Sequence, residues 1–363
     1  MSGRSIKLRL SLYLLVLGSC LTFRTTGFVV VSPSRIDSPS STSILCSPIF
    51  SSTRGHDAKP VDDPRREGLN TRRDFATSVI ATTTILGGGL FAPSIANADP
   101  RLSGPVTVIG ANGRTGYACV QSLQRRGVAV RATSRTGTWR GSDTAAAAVD
   151  VQVCDVADPS TIGPVVQGAR AVIFAASASK EGGTPAMVDN AGLVAVAKAC
   201  LEAKVKQLVI VSSGAVTKPS SPVYLFLNVF GKIMEEKIKG EDSVRALYAA
   251  AAPELSYTIV RPGGLTEEPS LGSVPGLELN QGDTKSGRIS RADVAEICIE
   301  ALYYPELTGR TTLECYNADT GAPLASVGIS NIMKSKTKED NFVSGRECRG
   351  NNWQELFSGL EKD

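Results

Sequence analysis

Val106-Thr-Val-Ile-Gly-Ala-Asn-Gly-Arg-Thr-Gly116 decides the fold. A short strand is expected to end at Gly110, glycines recur at Gly113 and Gly116 in the spacing G-x-x-G-x-x-G, and an amphipathic helix is predicted from Thr115 to Arg126. The setting carries more weight than the glycines, because strand, glycine turn and helix in that order open a βαβ unit. Outward from it, strands are expected at Val128–Thr133, Val149–Cys154, Ala171–Ala175, Gln207–Val211, Ser256–Val260 and Thr311–Tyr316. Between them, helices are predicted after Asp158 and over Ala186–Ala203, Glu235–Ala251 and Ser290–Leu302, with a short one at Trp353–Leu360 closing the chain. Ser290, with Asp293 three residues on, has the pattern of a helix cap. No internal repeat and no Pro/Gly-rich linker interrupts this region. The expectation is one α/β domain, doubly wound, with a mainly parallel seven-stranded sheet and helices on both faces.

A glycine turn at the first strand-to-helix junction lets the backbone approach a pyrophosphate, and the helix that starts there offers free N–H groups and a positive dipole end. Gly110, Asn112, Gly113, Arg114, Thr115 and Gly116 are therefore candidates for holding a dinucleotide in a Rossmann domain. An acidic residue at the end of the second strand would bond a ribose 2′-hydroxyl, whereas a basic one would hold a 2′-phosphate. Here the strand runs into Thr133-Ser-Arg135, and no Asp or Glu occurs between Gly116 and Asp143. With Arg114 in the turn, the residues favour NADP(H), the plain alternative being that Arg135 is a solvated loop charge. Asp155, just past the third strand, is placed to meet the adenine, and Ala175-Ala-Ser177, after the fourth, to line the same crevice.

Charge excludes other classes once the chain is divided at Ala98. Residues 1–98 hold 11 Lys/Arg against 6 Asp/Glu, and residues 99–363 hold 28 against 29. The basic excess belongs to the leader, and the body gives no electrostatic reason to expect nucleic acid. The single histidine, His56, lies in the leader too, so the domain beyond it offers no imidazole for a metal, a triad or a proton shuttle. No metal site is expected. Cys119, Cys154, Cys200 and Cys298 sit in apolar helix or strand patterns and read as buried small residues; Cys315 and Cys348 are less clear and could pair in an oxidising compartment.

The leader, residues 1–98, reads as three signals in series. A basic start and a short apolar run over residues 5–23 form a signal peptide; residues 32–70, rich in Ser, Pro and Arg, form a transit-peptide-like linker. Arg72-Arg-Asp-Phe75, the apolar and small residues from Ala76 to Ile95, and Ala96-Asn-Ala98 before Asp99 form a twin-arginine signal with its cleavage site. That order resembles the presequences of proteins sent through a complex plastid to the thylakoid lumen, a route that carries folded cargo. The mature domain, residues 99–363, is then not membrane-spanning. The alternative is an uncleaved anchor over Ala76–Ile95 that holds the domain at the stromal face of the thylakoid membrane.

From Pro105 to Tyr316 the chain resembles the atypical short-chain dehydrogenase/reductase group, including its NmrA-like and plastid NAD(P)-binding members. The likeness rests on the glycine turn, Cys154-Asp155, Val211-Ser-Ser213, Val260-Arg-Pro-Gly-Gly264 and Ile289-Ser-Arg-Ala-Asp-Val-Ala295. It implies that Ser212 and Ser213 reach the nicotinamide side, that Pro262, Gly263 and Gly264 pack near the carboxamide, and that Arg291 and Asp293 support the following helix. Classical members add Tyr-x-x-x-Lys, in which the lysine lowers the tyrosine pKa. Here Tyr224 is followed at that spacing by Asn228, and Lys232 would lie about 12 Å away along a helix. Lys237-Ile-Lys-Gly-Glu241 resembles the Lys-x-Lys-x-Glu helix of plastid members that have lost the tyrosine; Lys237 is expected at the nicotinamide ribose or else on a solvated face. Two functions remain open. One is an NADPH-dependent oxidoreductase acting on a small carbonyl, conjugated or quinone-like substrate, with water, Ser212 or Ser213 giving the proton. The other is a non-catalytic NADP(H)-binding chaperone or redox sensor with a thylakoid protein partner.

Overall fold

The structure, a computed structural model, describes residues 103–142, 149–179, 182–229, 231–324 and 344–363. The signal, linker, twin-arginine and cleavage readings of residues 1–98, and the anchor alternative, lie outside the described residues. Six parallel strands follow the chain: β1 (Val106–Ile109), β2 (Val130–Ser134), β3 (Asp150–Val153), β4 (Ala171–Phe174), β5 (Gln207–Val211) and β6 (Ser256–Pro262). With β11 (Thr311–Asn317) parallel to β6 and β8 (Leu277–Asn280) antiparallel to β11, the sheet order is β3-β2-β1-β4-β5-β6-β11-β8.

Alternation along each strand feeds two cores. Ala171 and Ile173 of β4 point to one face, together with Val106 and Val108 of β1 and Val209 of β5. Against that face pack α1 (Arg114–Arg125) and α6 (Arg291–Tyr303) through Cys119, Val120 and Leu123 and through Val294, Ile297 and Cys298. Val172 and Phe174 point the other way, with Leu208 and Ile210 of β5 and Ile259 of β6. There α2 (Ile162–Val166), α3 (Ala186–Gly192 running into Leu193–Glu202) and α5 (Ile233–Ala249) complete the second layer. The α1–α6 pair is also clamped by charge: Ser122 donates to Glu296 at 2.6 Å, and Arg126 bridges Glu296 and Glu300.

The main sheet has eight strands rather than seven. Leu277-Glu-Leu-Asn280 was missed because its Glu278 and Asn280, which would ordinarily face water, are fully buried. Glu278 instead accepts from Lys285 at 2.7 Å and from the Tyr316 hydroxyl at 2.6 Å, and pairs with Arg349. Two further pairs lie beyond the sheet: β7 (Gly264–Thr266) with β10 (Arg288–Ser290), parallel, and β9 (Lys285–Ser286) with β12 (Ala322–Pro323), antiparallel.

No single helix runs from Tyr224 to Lys232. α4 (Pro222–Asn228) ends early, and Gly231 (φ 71°) and Lys232 (φ 62°) turn the chain through the left-handed region before α5 begins. The separation of about 12 Å read along one continuous helix therefore does not apply. Nor do Cys315 and Cys348 pair: both are buried and free, and each lies opposite Leu279 from a different side of β8. Two strand spacings, about 9 to 10 Å, exceed what a disulfide spans. The other four cysteines of the domain are buried in the apolar layers as expected. Among the described residues no helix is long and apolar enough to cross a membrane.

Candidate functional site

Parallel strands all end on one edge, and ligands in such sheets bind where the strand order reverses. Here that point lies between β1 and β4, and the glycine turn occupies it. Gly110 has φ +83°, and a Cβ there would come within 2.8 Å of the Ala176 amide nitrogen. Gly116 is pressed so closely on the Gly110 carbonyl that any side chain would overlap it, which seats α1 directly behind the turn. The helix has no side-chain cap and no acid in its first turn, so its leading N–H groups and dipole remain available to an anion.

Two cavities flank this turn. The smaller, about 280 Å³, is lined by Gly110, Asn112, Gly113, Ser134, Arg135 and Asp155. The larger, about 550 Å³, is lined by Arg114, Thr115, Ser212, Ser213, Lys237 and the run Pro262-Gly-Gly264. Ala175, Ala176 and Ser177 line both, so the two spaces meet at the carboxyl end of β4. Every residue singled out from the sequence as a ligand contact borders one cavity or the other, except Gly116, which packs on the turn itself at Gly110 and Ala111. A pair of joined cavities about a capless helix end and close-approach glycines fits an extended dinucleotide.

Asn112 and Arg114 are placed differently from a simple reading of the turn. The Asn112 side chain donates to the Thr138 carbonyl at 2.8 Å and accepts from Arg140 N–H at 3.0 Å, and so fastens the loop after β2. Arg114 projects to the larger cavity, away from Arg135, and bonds Glu267 at 2.9 Å. Asp155 is turned partly inward, accepting from Ala157 N–H at 3.0 Å.

Lys237 is not on a solvated face. Its ammonium is 2.7 Å from Asp189, and the two side chains are 11 % and 0 % exposed. Asp189 sits in the π-helical first turn of α3 and also accepts from Ser177 Oγ at 2.7 Å and Ala178 N–H at 2.9 Å. The lysine is thereby tied to the segment that both cavities share. Lys239, by contrast, is the exposed member of the pair, bonded to Glu235 and Glu236. Sequence reasoning passed over Asp189, although an acid within the apolar run Met187-Val-Asp-Asn-Ala191 was a signal.

Ser212 donates its hydroxyl proton to Glu241, which is fully buried and bonded by Arg261 at 2.6 Å and Arg245 at 3.0 Å. Arg261 continues to Glu314 at 3.2 Å, Glu314 accepts from Asp283 N–H, and Asp283 holds the N–H groups of Ala215 and Thr217. This chain of buried charges braces the loop after β5 from below. Burial outweighs the attraction of Arg261 and raises the Glu314 carboxyl to about 7. Ser213 makes only a local bond to the Gly214 carbonyl at 3.1 Å. Tyr224 is buried with Ala215, Val216 and Met234 in a small apolar cluster and does not line the larger cavity, although Val223, Phe226 and Leu227 beside it do. Among the described residues no group of three or more His, Cys, Asp or Glu is poised for a metal ion.

A family model described as NAD(P)H-binding matches residues 110–305. An uncharacterised chloroplastic protein of Arabidopsis thaliana is 34 % identical over 214 residues, covering 55 % of this chain and 72 % of that protein. Sanguinarine reductase of Eschscholzia californica is 26 % identical over 247 residues, covering 56 % of this chain and 86 % of the reductase. Among solved structures, a putative NAD-dependent epimerase/dehydratase from Bacillus halodurans superposes with a TM-score of 0.50 at 25 % identity, covering 61 % of this chain and 97 % of that one. The match spans more than half of the chain, from the first glycine of the turn to the end of α6, and the chain therefore belongs to the NAD(P)H-binding Rossmann family.

Proposed function

We propose that this protein is an NADPH-dependent reductase of a small conjugated, carbonyl or quinone-like compound, working without the tyrosine–lysine pair. The observation that carries this reading is the larger cavity: a mainly apolar chamber, continuous with the dinucleotide crevice, into which a paired lysine and a serine project. The relative named as a reductase supports the same reaction class.

The turn from Gly110 to Gly116 holds the pyrophosphate through backbone N–H groups, and Arg135 and Asp155 flank the adenosine end, with Arg135 taking the 2′-phosphate. When bound, the reduced nicotinamide supplies a hydride. Ser212, its proton committed to Glu241, offers a lone pair to a donor such as a ribose hydroxyl or a carboxamide N–H, and this leaves Ser213 or water as the proton source. Lys237, immobilised by Asp189, directs N–H bonds at the ribose and the substrate oxygen, and Pro262, Gly263 and Gly264 close the carboxamide side. Val211, Phe226 and Met234 exclude water from the reacting atoms. The chloroplastic relative supports a plastid setting for this activity, and the layered leader favours the thylakoid lumen, after cleavage at Ala98.

Single-turnover loss of NADPH absorbance against a panel of quinones, iminium ions and enones tests the reading. Hydride transfer to at least one class is expected, and Lys237→Met should slow it by more than it weakens NADPH binding. If NADPH raises the melting temperature yet no panel member oxidises it, the nucleotide only stabilises a binding protein and the reductase reading fails.

A further inference from the structure

Four charged side chains line the larger cavity, and all are basic: Arg114, Lys237, Arg288 and Arg291. Lys237 is matched by Asp189. Arg114 and Arg291 instead converge on a single carboxylate, Glu267, at 2.9 and 2.7 Å, so that two guanidinium groups share one negative charge at the mouth. Their settings differ. Glu267 is 64 % exposed, whereas the Arg291 side chain is 11 % exposed. Burial and the neighbouring Arg114 push the Arg291 guanidinium below its ordinary range. An exposed carboxylate held in water is easily displaced, and a half-matched arginine pair at the rim of an apolar chamber favours a second anion with fork geometry. The chamber behind it is apolar, and Phe226 and Leu265 carry that character to the mouth, where they are 42 % and 38 % exposed.

We propose that the substrate is an amphipathic carboxylic acid, whose apolar conjugated body fills the chamber and whose carboxylate displaces Glu267 from Arg291. Glu267 acts as the chain's own stand-in for that carboxylate when the mouth is empty of substrate. The inference rests on the reductase reading but concerns a different part of the cavity. Arg114 also belongs to the turn that faces the cofactor, so the test relies on Arg291 and Glu267, which come from other segments.

The probes are a naphthoquinone carrying a propionate side chain and its methyl ester, each titrated into the whole protein saturated with NADP⁺. The acid is expected to bind about tenfold tighter than the ester. Arg291→Met should bring the acid down to the level of the ester without changing NADP⁺ affinity, and Glu267→Gln, at an exposed position, should tighten the acid several-fold. The proposal is overturned if the acid fails to bind, if acid and ester bind alike, or if Arg291→Met weakens NADP⁺ as much as it weakens the acid. Reduction of the ester by NADPH in any of those events leaves the reductase reading standing. Binding of the acid with the expected preference, but no oxidation of NADPH by either probe, tells against the reductase reading alone.

Discussion

Arg135 directly follows β2 beside the smaller cavity, and a side chain at Gly182 would meet its guanidinium carbon at 3.4 Å, so the glycine keeps room for it. Arg135→Asp is expected to weaken NADPH binding by tenfold or more and NADH binding far less, because only the former carries the 2′-phosphate; fluorescence titration with both nucleotides decides, and equal losses would detach the arginine from that phosphate. Tyr224, buried away from the chamber, is expected to tolerate Tyr224→Phe with turnover nearly intact, whereas Ser213→Ala should lower turnover by about tenfold. A Tyr224→Phe protein that binds NADPH yet loses activity by orders of magnitude would reverse that assignment. Glu314 supplies a pH dependence. Its carboxyl is raised to about 7 in the fold against an ordinary 4.5, so its contribution to stability is fully present below about 4.5 and is lost as pH rises through about 7. The loss amounts to at most about 3 kcal/mol. Glu314→Gln should flatten the unfolding free energy measured by denaturant between about pH 5 and pH 8; an unchanged slope would mean that another group carries it. The candidates Arg135 and Ser213 were legible because their strands announce where they end. The partners that fix their neighbours, Glu241 on Ser212 and Asp189 on Lys237, come from helices 29 and 48 residues away.

At the scale of elements, α6 shows how a local signal can do distant work. Ser290 accepts from Asp293 N–H at 3.0 Å, and its hydroxyl donates back to the Asp293 carboxylate at 2.8 Å. The same carboxylate holds Ser270 Oγ and Leu271 N–H, which anchors the segment that follows Glu267 and Glu268. Ser290→Ala should therefore cost about 1 to 2 kcal/mol in equilibrium denaturation, the range of a lost helix cap. A loss well under 0.5 kcal/mol would show that the aspartate sustains both contacts unaided. The cap was readable because it lies within four residues; the second half of its role was not. Strand β8 and the break between α4 and α5 escaped for related reasons. Glu278 of β8 is satisfied by Lys285 and by Tyr316 and Arg349, the last two lying 38 and 71 residues away, beyond any local window of sequence. The break depends on Lys232 adopting a left-handed conformation, which residue type does not announce.

For the whole molecule, the leader and the domain make separable claims. Mature protein is expected to begin at Asp99, after Ala96-Asn-Ala98, in the thylakoid lumen. N-terminal sequencing of protein from fractionated plastids checks this, and a start upstream of Arg72 in a membrane fraction would favour the anchored, stroma-facing arrangement. A folded Rossmann domain with its nucleotide bound suits a route that carries folded cargo, because ligand binding to the native state alone adds stability by mass action.

The sequence by itself determined the class of the protein. Alternating apolar strands and amphipathic helices around a glycine turn at the first βα junction leave one economical packing, and strand twist with right-handed crossovers then fixes where the ligand edge must lie. These are local patterns and general chirality, so they survive in one dimension. The tertiary structure decided what the cavity offers. It turned the Ser212 proton toward Glu241, bound Lys237 to Asp189, buried Tyr224 outside the chamber and drew Arg114 and Arg291 onto one glutamate. The polar pairings reach across 24 to 153 residues of chain, and the buried ones, Ser212 with Glu241 and Lys237 with Asp189, are set by the requirement that charges removed from water be matched in the folded interior.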